Sequence, residues 1–190
     1  MPKIIPELRE RFVAAARRQM LDGEDHDFTI RQVARDCRTA VGTVYNYFPS
    51  KEALITAVML KDWQACCAEM EADARAKQTA LAALEATTAA LRRFTARYGP
   101  TWRQYAAARG SVMELSLRHR QIIETISGPV GQTLDRFGAC FDRNLPEVLS
   151  ELVLLASRTE DGFRRIEPVL ARILDPRALI MPEYRKENPL

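Results

Sequence analysis

The sequence predicts an all-α protein, and three observations carry that expectation. Alanine, leucine, arginine and glutamate dominate the chain. No stretch alternates Val, Ile or Thr in the two-residue period of a strand, and the few glycines fall between segments of helical periodicity. At 190 residues, with 47% hydrophobic and 28% charged residues, the chain can bury a sizeable core and is too balanced for disorder or a fibre. Its longest apolar stretches, such as 152–156, are core-sized and far below the roughly 18 residues a spanning helix needs. The N-terminal residues form no apolar signal region, so a cytoplasmic protein is expected.

The first helix opens at Pro6, a favoured first position, and runs to about Leu21. Leu8, Phe12, Ala16 and Met20 fall at four-residue steps and form its inner stripe. A polar, acidic loop follows at 23–27. Thr29 and Gln32 have the spacing of a capping box, with Phe28 and Val33 placed as a hydrophobic staple, so a short helix starts there and ends near Cys37. A second short helix spans about 40–48 and is stopped by Pro49-Ser50. Ser50 then caps a long helix reaching about Arg75, with Glu52 in its first turn, where the helix dipole favours negative charge. Further helices are expected over 79–98, 101–108, 111–126, 129–143, 146–158 and 161–174. Thr101 with Gln104, and Ser111 with Glu114, repeat the capping-box spacing, and breaks are expected at Gly99-Pro100, Gly110, Gly128-Pro129 and Pro146. The proline-containing tail from Asp175 is expected to be extended or frayed.

Chemistry-bearing residues are sparse. Cys37, Cys66, Cys67 and Cys140 are too few and too irregular for a disulfide scaffold or a zinc site, and His26 and His119 are the only histidines. No catalytic constellation, metal site or cofactor is expected, and enzyme activity is not. The net charge is +3; residues 1–52 hold nine Lys/Arg against eight Asp/Glu. Nucleic-acid binding must therefore come from the placement of a few groups rather than from bulk charge.

Residues 28–55 carry the functional signal. Two short amphipathic helices with a tight turn between them, followed by a long helix, give helix-turn-helix geometry, in which the second helix enters a major groove about 12 Å wide. Gly42 permits close backbone approach, Thr43 offers a hydroxyl and a methyl, Tyr45 and Tyr47 carry hydroxyls on rigid rings, and Asn46 carries an amide. Lys51, at the start of the next helix, places a charge beside free N–H groups, a natural phosphate site. Val33, Ala34, Val44 and Phe48 remain as the inner face.

The run Gly42-Thr43-Val44-Tyr45-Asn46-Tyr47-Phe48-Pro49-Ser50-Lys51-Glu52-Ala53-Leu54, preceded by Thr29-Ile30-Arg31-Gln32-Val33-Ala34, resembles the DNA-binding domain of the TetR (tetracycline-repressor-type) family. The likeness covers roughly residues 8–60. It implies a helix-turn-helix domain at 1–52 joined by a long helix to a helical ligand-binding and dimerisation domain at 53–190. It further implies a homodimeric, cytoplasmic repressor that binds near-palindromic double-stranded DNA and is released by a small molecule. Carried over, Thr43 and Tyr45 reach base edges, while Asn46, Tyr47, Lys51 and the start of the Thr29 helix with Arg31 hold phosphates; Arg38 is a further phosphate candidate. The turn departs from the family's usual Ala-Gly-Val-Ser followed by a polar or basic residue. Cys37-Arg38-Thr39-Ala40-Val41 stands there, so Arg38 must take a left-handed backbone or the turn must differ, and Thr39 is the expected cap. The alternative reading is an adaptor of the same fold that docks a protein partner.

In the second domain, Trp63, Met70, Phe94, Trp102, Tyr105, Met113, Leu117, Phe137 and Phe141 are candidates to line a pocket for a hydrophobic or amphipathic ligand, with Glu114 and Arg118 as polar anchors. The last two helices have broad apolar faces, Val148, Leu149, Leu152 and Val153 on one and Phe163, Ile166, Val169, Leu170 and Ile173 on the other. With the resemblance, they are expected to build a four-helix dimer interface.

Overall fold

The computed structural model describes residues 5–22, 29–109, 112–139 and 142–175, without the side chains of Asp22 and of residues 100–118. The described residues form helices only: α1 (Pro6–Asp22), α2 (Ile30–Asp36), α3 (Val41–Tyr47), α4 (Lys51–Arg75), α5 (Ala80–Arg109), α6 (Val112–Arg136), α7 (Leu145–Ala156) and α8 (Gly162–Leu174). None is long and apolar enough to cross a membrane. The chain divides into two compact units, 1–65 and 66–190. The boundary thus falls inside α4 and not at residue 52, because the first turns of α4 supply core to the N-terminal unit.

In the first unit the inner stripe of α1 is as expected. Phe12, Ala16 and Met20 are buried and Leu8 is half-buried. Val33 and Ala34 of α2, Val44 of α3, Phe48, and Leu54 and Val58 of α4 complete a small core. Two ion pairs tie α1 to α4. Arg17 Nε lies 2.6 Å from the buried Asp62 carboxylate, and the exposed Lys61 bonds Glu10, holding that carboxyl below its usual range. The Thr29–Gln32 capping box forms in full, and Ser50 Oγ accepts from the Ala53 amide at 3.1 Å. Phe28, the other half of the expected staple, lies outside the described residues.

The second unit differs from expectation at two prolines. Helix α5 runs on through Gly99-Pro100 and α6 through Gly128-Pro129, so eight helices stand among the described residues where nine or ten were expected. A proline removes one backbone donor and disfavours helix before it. In α6, however, Ile123, Ile126, Val130 and Leu134 form one buried face across the proline, and burying that face outweighs the local cost. In α5, Tyr98 is buried just ahead of Gly99-Pro100, so packing holds the turn that propensity would release. Thr101 consequently lies inside a helix and starts none, and Ser111 lies outside the described residues.

Helix α6 packs on α7, and α5 touches α6, α7 and α8. The end of α4 is held by Arg136, whose guanidinium donates to the carbonyls of Arg75 at 2.6 Å and Lys77 at 3.1 Å. Between α7 and α8 the backbone approach is close. A Cβ on Gly162 would sit 2.0 Å from the Ala156 carbonyl oxygen, so only glycine fits there.

Candidate nucleic-acid interface

The turn between α2 and α3 is a complete Schellman motif. The Arg38 amide donates to the Arg35 carbonyl at 3.0 Å and the Thr39 amide to the Ala34 carbonyl at 2.9 Å. This bonding pattern requires a left-handed residue at Arg38, whose φ is 54°, the one positive φ at a non-glycine among the described residues. Of the two expected alternatives, the strained backbone is therefore the one adopted. Arg11 of α1 reaches across 26 positions to donate to the Cys37 carbonyl at 2.8 Å, closing the turn from outside. No local pattern marks that contact, and sequence reasoning missed it.

The N-cap of α3 is Ala40, without a side-chain bond. Thr39, expected as the cap, instead turns its hydroxyl back toward the Ala34 carbonyl at 3.5 Å. The amides at the start of α3 are thus left without a side-chain cap. Val44 is fully buried, and Phe48 lies beneath the Arg9 guanidinium, 5.1 Å from its ring centroid. Opposite this inner face, Val41, Gly42, Tyr45 and Asn46 are exposed and Thr43 is half-buried. A Cβ added to Gly42 would meet nothing within 4 Å, so no described neighbour calls for a glycine at that position.

Tyr47 serves the fold as well as the surface. Its ring packs edge-on against Phe12 at 5.5 Å, and its hydroxyl accepts from the Ile5 amide at 2.7 Å while keeping its own proton to donate. Lys51 is half-buried at the first position of α4, and Thr29 and Arg31 are exposed at the start of α2. All nine sequence-selected residues thus belong to two short helices, the turn between them and the helix starts beside them. From residue 29 to 51 the cations are Arg31, Arg35, Arg38 and Lys51, against the single acid Asp36. The near-neutral total for residues 1–52 therefore conceals a local excess of positive charge.

Residues 12–58 match the tetR family of bacterial regulatory proteins. The match is confined to 47 of the 190 residues, which hold α2, α3 and the start of α4. Over 54 residues it is 37% identical to the HTH-type transcriptional regulator UidR of Escherichia coli strain K12, and equally to that of Shigella flexneri. That match spans 28% of this chain and 28% of those relatives. A transcriptional regulator from Cytophaga hutchinsonii shares the fold over 87% of this chain and 93% of its own, with a TM-score of 0.51 and 17% identity. The resemblance to the TetR family read from residues 29–54 is thus matched in sequence, and the all-helical architecture behind that domain has a counterpart among solved structures.

The second unit distributes its candidates unevenly. Met70 is buried, while Phe94 stacks near Tyr98 at 5.0 Å and Phe137 lies under the Arg136 guanidinium. Trp63 belongs to the first unit. The side chains of Trp102, Tyr105, Met113, Glu114, Leu117 and Arg118, and the whole of Phe141, lie outside what the structure describes. Leu149, Val153 and Leu170, expected at a dimer interface, are fully buried within the chain itself. Val148, Leu155 and Val169 are exposed, and Leu152, Phe163, Ile166 and Ile173 are partly so. His119 is exposed and bonds the Glu151 carboxylate at 2.8 and 3.0 Å. Among the described residues no three groups stand together as a metal site.

Proposed function

We propose that this chain is a homodimeric, sequence-specific DNA-binding transcriptional regulator, a cytoplasmic repressor released by a small hydrophobic or amphipathic inducer, and not an enzyme. The observation that carries the reading is the outer face of α3. It exposes Tyr45 and Asn46 beside a glycine for which the fold has no use. Gly42 lets the backbone approach the groove, and Thr43 and Tyr45 meet base edges. Asn46, the Tyr47 hydroxyl proton, Lys51, Arg38 and the start of α2 with Thr29 and Arg31 hold phosphates.

A dimer would pair the exposed apolar positions of α7 and α8, chiefly Val148, Leu155 and Val169 with the partly exposed Phe163, Ile166 and Ile173, against a second copy. Two recognition helices would then read half-sites one or more helical turns apart, roughly 34–36 Å per turn. Helix α4 belongs to both units, so a ligand among the middle helices of the second unit would shift the population toward spacings that fit only one half-site.

Fluorescence anisotropy of the purified protein against duplex DNA from its own upstream region, at several salt concentrations, tests this. Tight, salt-sensitive and sequence-selective binding is expected, with Thr43→Ala relaxing selectivity more than it weakens non-specific binding. A folded dimer that binds no duplex at low salt would overturn the reading and leave the protein-docking adaptor.

A further inference from the structure

We infer that Arg31, Arg35 and Arg38 form one track of guanidinium groups for the phosphodiester backbone of double-stranded DNA, and that Arg38 occupies its strained turn position for that contact and not for the fold. The inference rests on the DNA-binding reading above.

Arg31 and Arg35 stand four apart on one face of α2, and Arg38 follows in the turn, two residues past the helix end at Asp36. All three are exposed, and none has a side-chain hydrogen bond or ion pair among the described residues. Asp36, the one acid from residue 29 to 51, is engaged with α1, where it accepts from Gln19 at 2.8 Å and lies 3.9 Å from Arg18. Among the described residues no carboxylate pairs with the three arginines. Helix α2 is the first helix of the helix-turn-helix, the one that crosses the DNA backbone, and a guanidinium fork matches a phosphate with two parallel bonds.

Arg38 supplies the independent observation. Its position demands a left-handed backbone, and among the described residues its side chain has no hydrogen bond or ion pair to offset that strain. The same protein closes α6 with the same motif, the Gly138 amide donating to Asp135 and the Ala139 amide to Leu134, and there the left-handed residue is a glycine with φ 64°. Where only the fold has a say, glycine stands at this position. Beyond the end of α2 stands instead a cation that has no partner among the described residues, next in the chain after Arg31 and Arg35.

The test compares Arg38→Gly, Arg38→Lys and Arg35→Ala in the full chain, by thermal melting and by anisotropy on two duplexes, the upstream region and a scrambled sequence of equal length. Arg38→Gly is expected to keep or raise the melting midpoint and to weaken binding to both duplexes about three- to tenfold, with the slope of log affinity against log salt shallower by about one. Arg35→Ala should lose a similar slope at an unchanged midpoint, and Arg38→Lys should retain the wild-type slope. The ratio between the two duplexes should not move, because phosphate contacts carry no sequence information. Wild-type affinity and slope in both Arg38→Gly and Arg35→Ala would overturn the track while leaving the DNA reading intact, provided the unmodified protein binds. A lower midpoint for Arg38→Gly would overturn it too, since Arg38 would then serve the fold. Failure of the unmodified protein to bind either duplex would remove the DNA reading itself.

Discussion

The two units of this protein close a helix with the same left-handed motif but fill it with different residues. In the second unit two glycines have an internal reason, while Gly128, inside α6, has open space where a Cβ would stand. Gly138 supplies the left-handed residue that ends α6, and Gly162 sits where a Cβ would strike the Ala156 backbone. In the first unit the equivalent left-handed position is Arg38, and Gly42 faces open space. Packing and helix termination explain Gly138 and Gly162 from within the chain. They do not explain the outer surface of α2 and α3, where a residue type the fold neither requires nor rewards points to something outside the chain.

Substitutions can break that contrast, and the largest effect belongs to the second unit. Gly162→Ala forces the α7–α8 connection apart and should destabilise the protein by about 1–3 kcal/mol, as overpacking does. Denaturant unfolding followed by circular dichroism measures it, and an unchanged midpoint would mean that the close approach relaxes freely. Asp62→Ala is the matching probe of the first unit. It removes the buried partner of Arg17, whose side chain is 39% exposed and can turn to water, so a loss of about 1–2 kcal/mol is expected. Gly42→Ala should do the reverse of Gly162→Ala. It should stabilise by roughly 0.5–1 kcal/mol, the usual gain over glycine in a helix, while weakening duplex binding. Equal binding by Gly42→Ala would sink the argument from open space.

The smallest effect is on the cysteines. Burial, aided by the charges of Cys67 and Glu69, pushes the Cys66 thiol up to about 12. Its proton is held more tightly folded than unfolded, so its contribution is fully present below the unfolded value near 9.0 and is lost as pH rises from there toward about 12. Near neutral pH, maleimide labelling of Cys66 should proceed only as fast as the protein opens. Rapid labelling of the folded chain would show that the thiol is not enclosed.

Sequence alone determined what short-range physics controls. The Thr29–Gln32 box and the Ser50 cap are bonds across three residues, and the α1 stripe repeats every four; the missing turn glycine left two alternatives at Arg38, and the structure chose the left-handed one. The residues proposed to meet DNA could be selected for the same reason, since they lie on two adjacent short helices and the helix starts beside them. Only the tertiary structure decided the rest. Helix α6 crosses Pro129 because Ile126 and Val130, on either side, are buried against other parts of the chain, and a local penalty cannot be weighed against a burial still unknown. The same limit hid the Arg11 bond to Cys37 and gave Leu149, Val153 and Leu170 to the chain's own core rather than to a partner. An apolar helix face records that it will be buried, but what covers it depends on contacts between residues far apart in the chain.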